Sequence, residues 1–144
     1  AVGKKTHYAS LVQQKANELG VGHRLHLYHQ VSTKDLPGIF AGAELFVYPS
    51  RLEGFGIPLL EALNARIPVI GATGSCLEEA GGPASLYTDP DDPEMLATLM
   101  TRILTEKGLR EHMVEQGLQH AKRFEEQRLA NDLIAVYEQI LAQP

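Results

Sequence analysis

The stretch "ELFVYPSRLEGFGIPLLEALNARIPVIGA", Glu44–Ala72, carries the reading of the fold. It opens with an apolar run at 44–50, passes through "EGFG", and continues as "IPLLEALNA". A second apolar run, "PVIGA" at 68–72, closes it. Apolar runs of that length suit buried strands, and the segment between them has leucines at helical spacing with a proline in its first turn. Strand, glycine turn, helix and strand in this order make a βαβ unit. Its right-handed crossover implies parallel strands covered on both faces. Two acids, Glu53 and Glu61, stand on either side of the turn.

The same alternation extends outward. Residues 6–19 predict an amphipathic helix with Tyr8, Leu11, Val12, Ala16 and Leu19 on one face and Gly20 as its left-handed cap. "RLHLY" at 24–28 predicts a strand, and "STKD" at 32–35 has the form of a capping box opening a short helix with Leu36, Ile39 and Phe40. The helix after "GFG" is expected over 57–65, and "GSCLEEAGG" as a loop with one helical turn. "SLYTD" at 85–89 predicts another strand. "DPDDPE" reads as the start of a helix over 93–105, with Met95 or Leu96, Leu99, Met100 and Ile103 inward. Helices at 107–123 and 127–142 follow without intervening strands and form a helical annex, about 107–144. The expected class is α/β, a parallel sheet with helices on both faces.

At 144 residues the chain is expected to be a single domain. "AVG" reads as the tail of a further strand, so the missing part of the domain is expected upstream of Ala1. The net charge of −5 argues against nucleic acid, whose partners present a basic face. With Cys76 alone no intrachain disulfide can form, which suits a reducing compartment. No apolar run reaches membrane-spanning length, and "AVGKKTHY" does not read as a signal peptide.

In open parallel sheets ligands bind beyond the carboxyl ends of strands, where helices begin. Gly54 and Gly56 let the backbone turn tightly there and come close to a ligand. The N–H groups of Gly56, Ile57, Leu59 and Leu60 are expected to face outward at the helix start and to attract a phosphate or diphosphate, aided by the helix dipole. Glu61, a turn further in, has the chemistry to accept from two neighbouring hydroxyls, as on a ribose. Glu53, before the turn, could hold hydroxyls of a group on the distal phosphate. On the residues alone this stands equally beside a plain α/β connection with an acid favouring a helix start. Neither the P-loop nor the dinucleotide glycine pattern occurs.

"PSRLEGFGIPLLEALNARIPVI" resembles the mark of the retaining GT-B glycosyltransferases of family 4, two glutamates separated by seven residues. "RLHLYHQVSTKDLPGIFAGAELFVYPS", "GSCLEEAGGPASLYTDPDDPEML" and "RFEEQRLANDLIAVYEQI" resemble the family's flanking blocks in the same order. The resemblance implies a Rossmann-like C-terminal half of a GT-B fold that binds a nucleotide-diphosphate sugar. It implies that Glu53 acts at the donor sugar. It also implies that Gly54, Phe55, Gly56 and Ile57 approach sugar and diphosphate, that Leu60 lies near the nucleoside, and that Glu61 grips the ribose. It implies no metal or other cofactor, and retention through front-face attack and an oxocarbenium-like state. The implied acceptor is a glycan or lipid-linked molecule held by an N-terminal half, at the cytoplasmic face of a membrane with peripheral association, in cell-surface polysaccharide synthesis.

The sequence also departs from the family. The acceptor half and the basic pair that contacts the phosphates have no counterpart in these residues, and Lys4 and Arg51 are not positional equivalents of that pair. Arg66 and His29 stand where glycine is usual, and Glu126 where tryptophan is common. These residues are therefore not expected to catalyse by themselves. A non-catalytic nucleotide-binding module, or a GT-B phosphorylase or epimerase, are the other readings.

Among the remaining residues, His29 is read as an exposed loop histidine, with contact to a nucleobase as the alternative, and Tyr28 as core or rim. His112 and His120 are expected to be solvated, and the histidines show no metal-ligand cluster. Cys76 is read as a packed thiol and Glu78 and Glu79 as helix-start acids. Gly74 and Ser75 are read as possible ligand contacts.

Overall fold

The computed structural model describes residues 1–142. The chain divides into two compact units, one of residues 1–39 and one starting at Phe40.

The first unit holds α1, His7–Glu18, and a 3-10 turn, Gly22–Arg24. The expected cap is present: Gly20 has φ +72°, Gly20 N–H donates to Asn17 O at 3.0 Å and Val21 N–H to Ala16 O at 2.9 Å. That pair of bonds is the Schellman motif. The strand expected over 24–28 is not formed. Leu25 N–H closes the 3-10 turn on Gly22 O, and what remains is one parallel bridge, Val2 to Tyr28, held by Gly3 N–H to Tyr28 O and Tyr28 N–H to Ala1 O. A turn that takes up the start of the run leaves too few residues for a ladder. The amphipathic helix exists, yet its apolar face is open: Tyr8 is 70% and Leu19 65% exposed, and no residue of this unit is buried. The "STKD" box also differs from expectation. Ser32 Oγ donates to the Asp35 carboxylate at 2.7 Å, and Asp35 N–H donates to Ser32 O, so Asp35 is the acceptor rather than the reciprocal cap. A short helix, α2 (Leu36–Ala41), runs across the division.

The second unit is a three-stranded parallel sheet in the order β1 (Phe46–Tyr48), β2 (Val69–Ala72), β3 (Leu86–Thr88). Register places Val47 beside Ile70 and Gly71 beside Tyr87. The strands are shorter than the apolar runs that announced them: β1 and β3 lose residues at both ends to the connecting turns, and β2 loses only Pro68. Between them lie α3 (Ile57–Asn64) and α4 (Leu77–Gly81), and after β3 come α5 (Pro93–Thr105), α6 (Lys107–Ala121) and α7 (Glu126–Leu141).

Strand alternation sends side chains to two apolar clusters. Phe46, Tyr48 and Val69 meet Leu59 and Leu63 of α3 and Leu77 of α4 on one face. Val47 and Ile70 meet Leu99 and Ile103 of α5 and Met113 of α6 on the other. The central strand is buried along its whole length, as a parallel strand covered on both sides must be. Leu59, Leu63, Leu77 and Ile103 are at most 2% exposed, each contributing roughly 2 kcal/mol of burial. The start of α5 is as expected: Asp92 accepts from Met95 N–H at 2.8 Å ahead of Pro93, and Leu99 and Ile103 point inward while Met95 is 46% exposed.

At the end of α3, Arg66 N–H donates to Leu63 O and Ile67 N–H to Ala62 O, both at 3.0 Å. This repeats the motif that ends α1, but with an arginine at φ +60° where glycine would be unstrained. Arg66 is the one non-glycine residue at positive φ among those described.

Candidate functional site

Three connections leave the carboxyl edge of the sheet: 49–56 after β1, 73–76 after β2 and 89–92 after β3. Arg51 and Asp91 form an ion pair that ties the first to the third, with Arg51 Nε also 3.4 Å from Asp91 Oδ2.

The first connection and the start of α3 contain the candidate residues. Gly56 is the N-cap of α3, at φ +110° and buried. A Cβ there would lie 2.8 Å from Leu77 Cδ2 and 3.2 Å from Ala80 Cβ, so both the dihedral and the approach of α4 demand glycine. No side chain caps this helix start, and Pro58 has no N–H to satisfy. One expectation is corrected: Leu59 N–H is not free, because the first turn tightens and it donates to Gly56 O at 2.9 Å.

Gly54 is exposed and Phe55 half-buried, its ring edge-on to Phe124 at 5.4 Å between centroids. Leu60 is half-buried against the α3–α4 cluster. Ile57, 63% exposed, and Glu61, also exposed, lie one turn apart on the face of α3 turned away from Leu59 and Leu63.

Glu53 is half-buried, and the fold holds it twice. Its Oε1 accepts from Tyr48 Oη at 2.7 Å, and its main-chain oxygen accepts from Cys76 Sγ at 3.2 Å. Burial first, then the hydrogen bond and the charge of Glu53, pushes the Tyr48 phenol up to about 12. Neither partner was singled out in the sequence as a neighbour of Glu53. Strand alternation could have put Tyr48 at the carboxyl end of β1 on the face of Phe46, but no periodicity pairs it with a residue beyond the turn. The thiol read as merely packed is half-buried and donates to the candidate loop.

The second connection is closed on itself. Glu78 Oε1 accepts from Thr73 Oγ1 at 2.7 Å and from Gly74 N–H at 2.8 Å. Those bonds, the Gly74 N–H first, hold the Glu78 carboxyl below its ordinary value. The Gly74 N–H read as a ligand contact is therefore already engaged, and Ser75 Oγ accepts from Leu77 N–H at 3.3 Å. His120 is not simply solvated: its Nε2 is 2.8 Å from Glu79 O and its ring is edge-on to Phe124. His29, in the first unit, lies 3.2 Å through Nδ1 from Gly3 O, and Tyr28 is 54% exposed.

Among the described residues, no three His, Cys, Asp or Glu side chains group as a metal site needs, and no helix is long and apolar enough to cross a membrane.

The sequence profile of a family described as "Glycosyl transferases group 1" matches residues 1–120. The chain is 36% identical over 107 residues to O-antigen chain mannosyltransferase B of Escherichia coli, covering 74% of this chain and 28% of that protein. Among solved structures, sucrose-phosphate synthase from Thermosynechococcus elongatus superposes with a TM-score of 0.82 at 23% identity, over 99% of this chain and 38% of that one. The Anabaena protein HepE, solved in complex with UDP-glucose, gives 0.80 at 21% identity, over 93% and 40%. The chain spans about a third of the length of the curated relatives it matches, 28% and 32% of the first two. The fold is that of the C-terminal half of GT-B glycosyltransferases.

Proposed function

The chain belongs to the group 1 glycosyl transferases, and from that premise we propose that it forms the donor-binding part of a retaining hexosyltransferase. The donor is a nucleotide-diphosphate sugar, the acceptor a glycan or lipid-linked molecule held by another part of the enzyme. The observation that carries this reading is the start of α3. A helix N-terminus without a side-chain cap, turned by Gly56 against α4, lies at the carboxyl edge of a parallel sheet with Glu53 before it and Glu61 one turn inside it. Such a terminus suits a diphosphate, and developing charge on a leaving diphosphate is stabilised there by fixed N–H dipoles without a metal.

In this arrangement Gly54, Phe55, Gly56 and Ile57 line the path of sugar and diphosphate. Leu60 lies towards the nucleoside, Glu61 accepts from the ribose hydroxyls, and Glu53 acts on the sugar. The exposed carboxylate of Glu61, on the same face as Ile57, is free of the core and suited to that work. The UDP-glucose bound by HepE supports a nucleotide-sugar donor. The name of the Escherichia coli O-antigen chain mannosyltransferase supports a hexose donor and a glycan acceptor of the polysaccharide kind.

Calorimetric titration of the full-length protein with UDP-, GDP- and ADP-linked sugars tests the reading. One of the three is expected to bind. Glu61→Ala should weaken that nucleotide, with or without its sugar, by about tenfold or more, the worth of hydrogen bonds to a charged acceptor. Glu53→Ala should spare the bare nucleotide and abolish most sugar transfer. Absence of binding by all three donors, or normal transfer by both variants, would overturn the assignment.

A further inference from the structure

Glu53 sits in a loop that offers it little local restraint. Leu52 before it is 90% exposed, Gly54 after it is exposed, and residues 49–56 belong to no helix or strand. A glutamate so placed would ordinarily sample many rotamers, and a reacting group must be held to a narrow geometry. The restraint comes from β1. Tyr48 is the last residue of that strand, paired in register with Gly71 of β2. Its ring lies over Phe46, 5.8 Å between centroids and 17° between planes, and Phe46 in turn packs on Phe40 at 5.4 Å. A ring stacked on Phe46, itself backed by Phe40, at the end of a paired strand is less free to move than a loop carboxylate, so the carboxylate follows the ring.

We propose that Tyr48 is a positioning residue for Glu53: its phenol, held by the aromatic ladder Phe40–Phe46–Tyr48, grips Glu53 Oε1 and leaves the other carboxylate oxygen to accept from the donor sugar. The role rests on the donor-site reading above and adds to it the device that orients the sugar-side acid. The main chain is tied as well, through the Cys76 thiol to Glu53 O at 3.2 Å, so side chain and backbone of one residue are anchored from two neighbouring strand ends. The phenol is protonated throughout the neutral range and so remains a donor to the carboxylate. The rival account is that the hydrogen bond only satisfies a half-buried phenol and has no bearing on ligand.

Sugar discrimination separates the two. Affinities of the full-length protein for a nucleotide sugar and for the bare nucleotide diphosphate are measured by calorimetry, with UDP-glucose against UDP, GDP-mannose against GDP and ADP-glucose against ADP. Tyr48→Phe, which keeps the ring and its stacking, should weaken the nucleotide sugar by about tenfold and leave the bare nucleotide unchanged. In a Glu53→Ala background the same change should add nothing, since there is no carboxylate left to hold. An unchanged ratio of sugar to bare nucleotide in Tyr48→Phe, or losses that multiply in the double variant, would overturn the positioning role while leaving the donor site intact. Wild-type protein that binds none of the donors overturns the donor site and the role with it. Phenol titration guards against a variant that fails to fold: in Glu53→Ala the Tyr48 phenol should ionise at lower pH, and an unmoved titration refutes the grip itself.

Discussion

The connections that leave β1 and β2 start from neighbouring parallel strands, and each carries a glycine at positive φ, Gly56 at +110° and Gly74 at +73°. They differ in what happens to the polar groups they expose. After β2, Glu78 turns back to take the Gly74 N–H and the Thr73 hydroxyl, so the loop satisfies itself. After β1, no side chain caps α3, and the nearby acids are employed otherwise: Glu53 is gripped by Tyr48, and Glu61 faces solvent. One fold therefore contains a strand-to-helix turn closed by its own acid and another whose acids are engaged elsewhere. Glycines differ in the same sense. Gly56 is crowded by α4, whereas a Cβ on Gly74 would meet nothing within 4 Å.

Substitution of the two glycines should break this comparison most forcefully. Gly56→Ala adds left-handed strain to a clash with Leu77 and Ala80, and should cost about 3 kcal/mol in denaturant unfolding. Gly74→Ala meets only the dihedral penalty and should cost about 1 kcal/mol. Equal losses would show that crowding by α4 does not distinguish the two turns.

The far end of α3 gives a smaller effect of opposite sign. Arg66→Gly relieves the strain of a non-glycine residue at φ +60° but raises the entropy of the unfolded chain, for a net gain of about 0.5 kcal/mol. A gain in midpoint without change in m-value would confine the strain of this connection to its helix end.

The smallest effect concerns pH. The folded pKa of Glu78 lies below its ordinary 4.5, so its contribution is complete above that value and is lost as pH falls through the lower folded one. Glu78→Gln should flatten the acid limb of the stability curve in that window and leave neutral-pH behaviour of the first connection unaltered. An identical acid limb in the variant would mean the loop is not closed by this carboxylate.

Much of this molecule is legible in its residue order. Leucines at helical spacing behind a proline specify α3, "PVIGA" specifies the buried central strand, and "DPDDPE" specifies a capped helix start, because each signal is local and periodic. Two glutamates flanking a glycine turn were visible for the same reason. Other readings fell short where a pattern needed a partner. "RLHLY" has strand composition, but Arg24 ends a 3-10 turn that Leu25 closes, and one bridge remains. The apolar stripe of α1 forms a helix without being buried.

The residue order thus established the succession of βαβ elements, the place of the candidate site and the need for glycine at its turn, since each follows from spacing along one stretch of chain. Packing alone established that Tyr48 and Cys76 hold Glu53, that Phe55 meets Phe124, and that Glu78 closes the neighbouring loop. Those contacts depend on strand register and helix docking, which bring together residues whose separation along the chain carries no period and leaves no mark in the sequence.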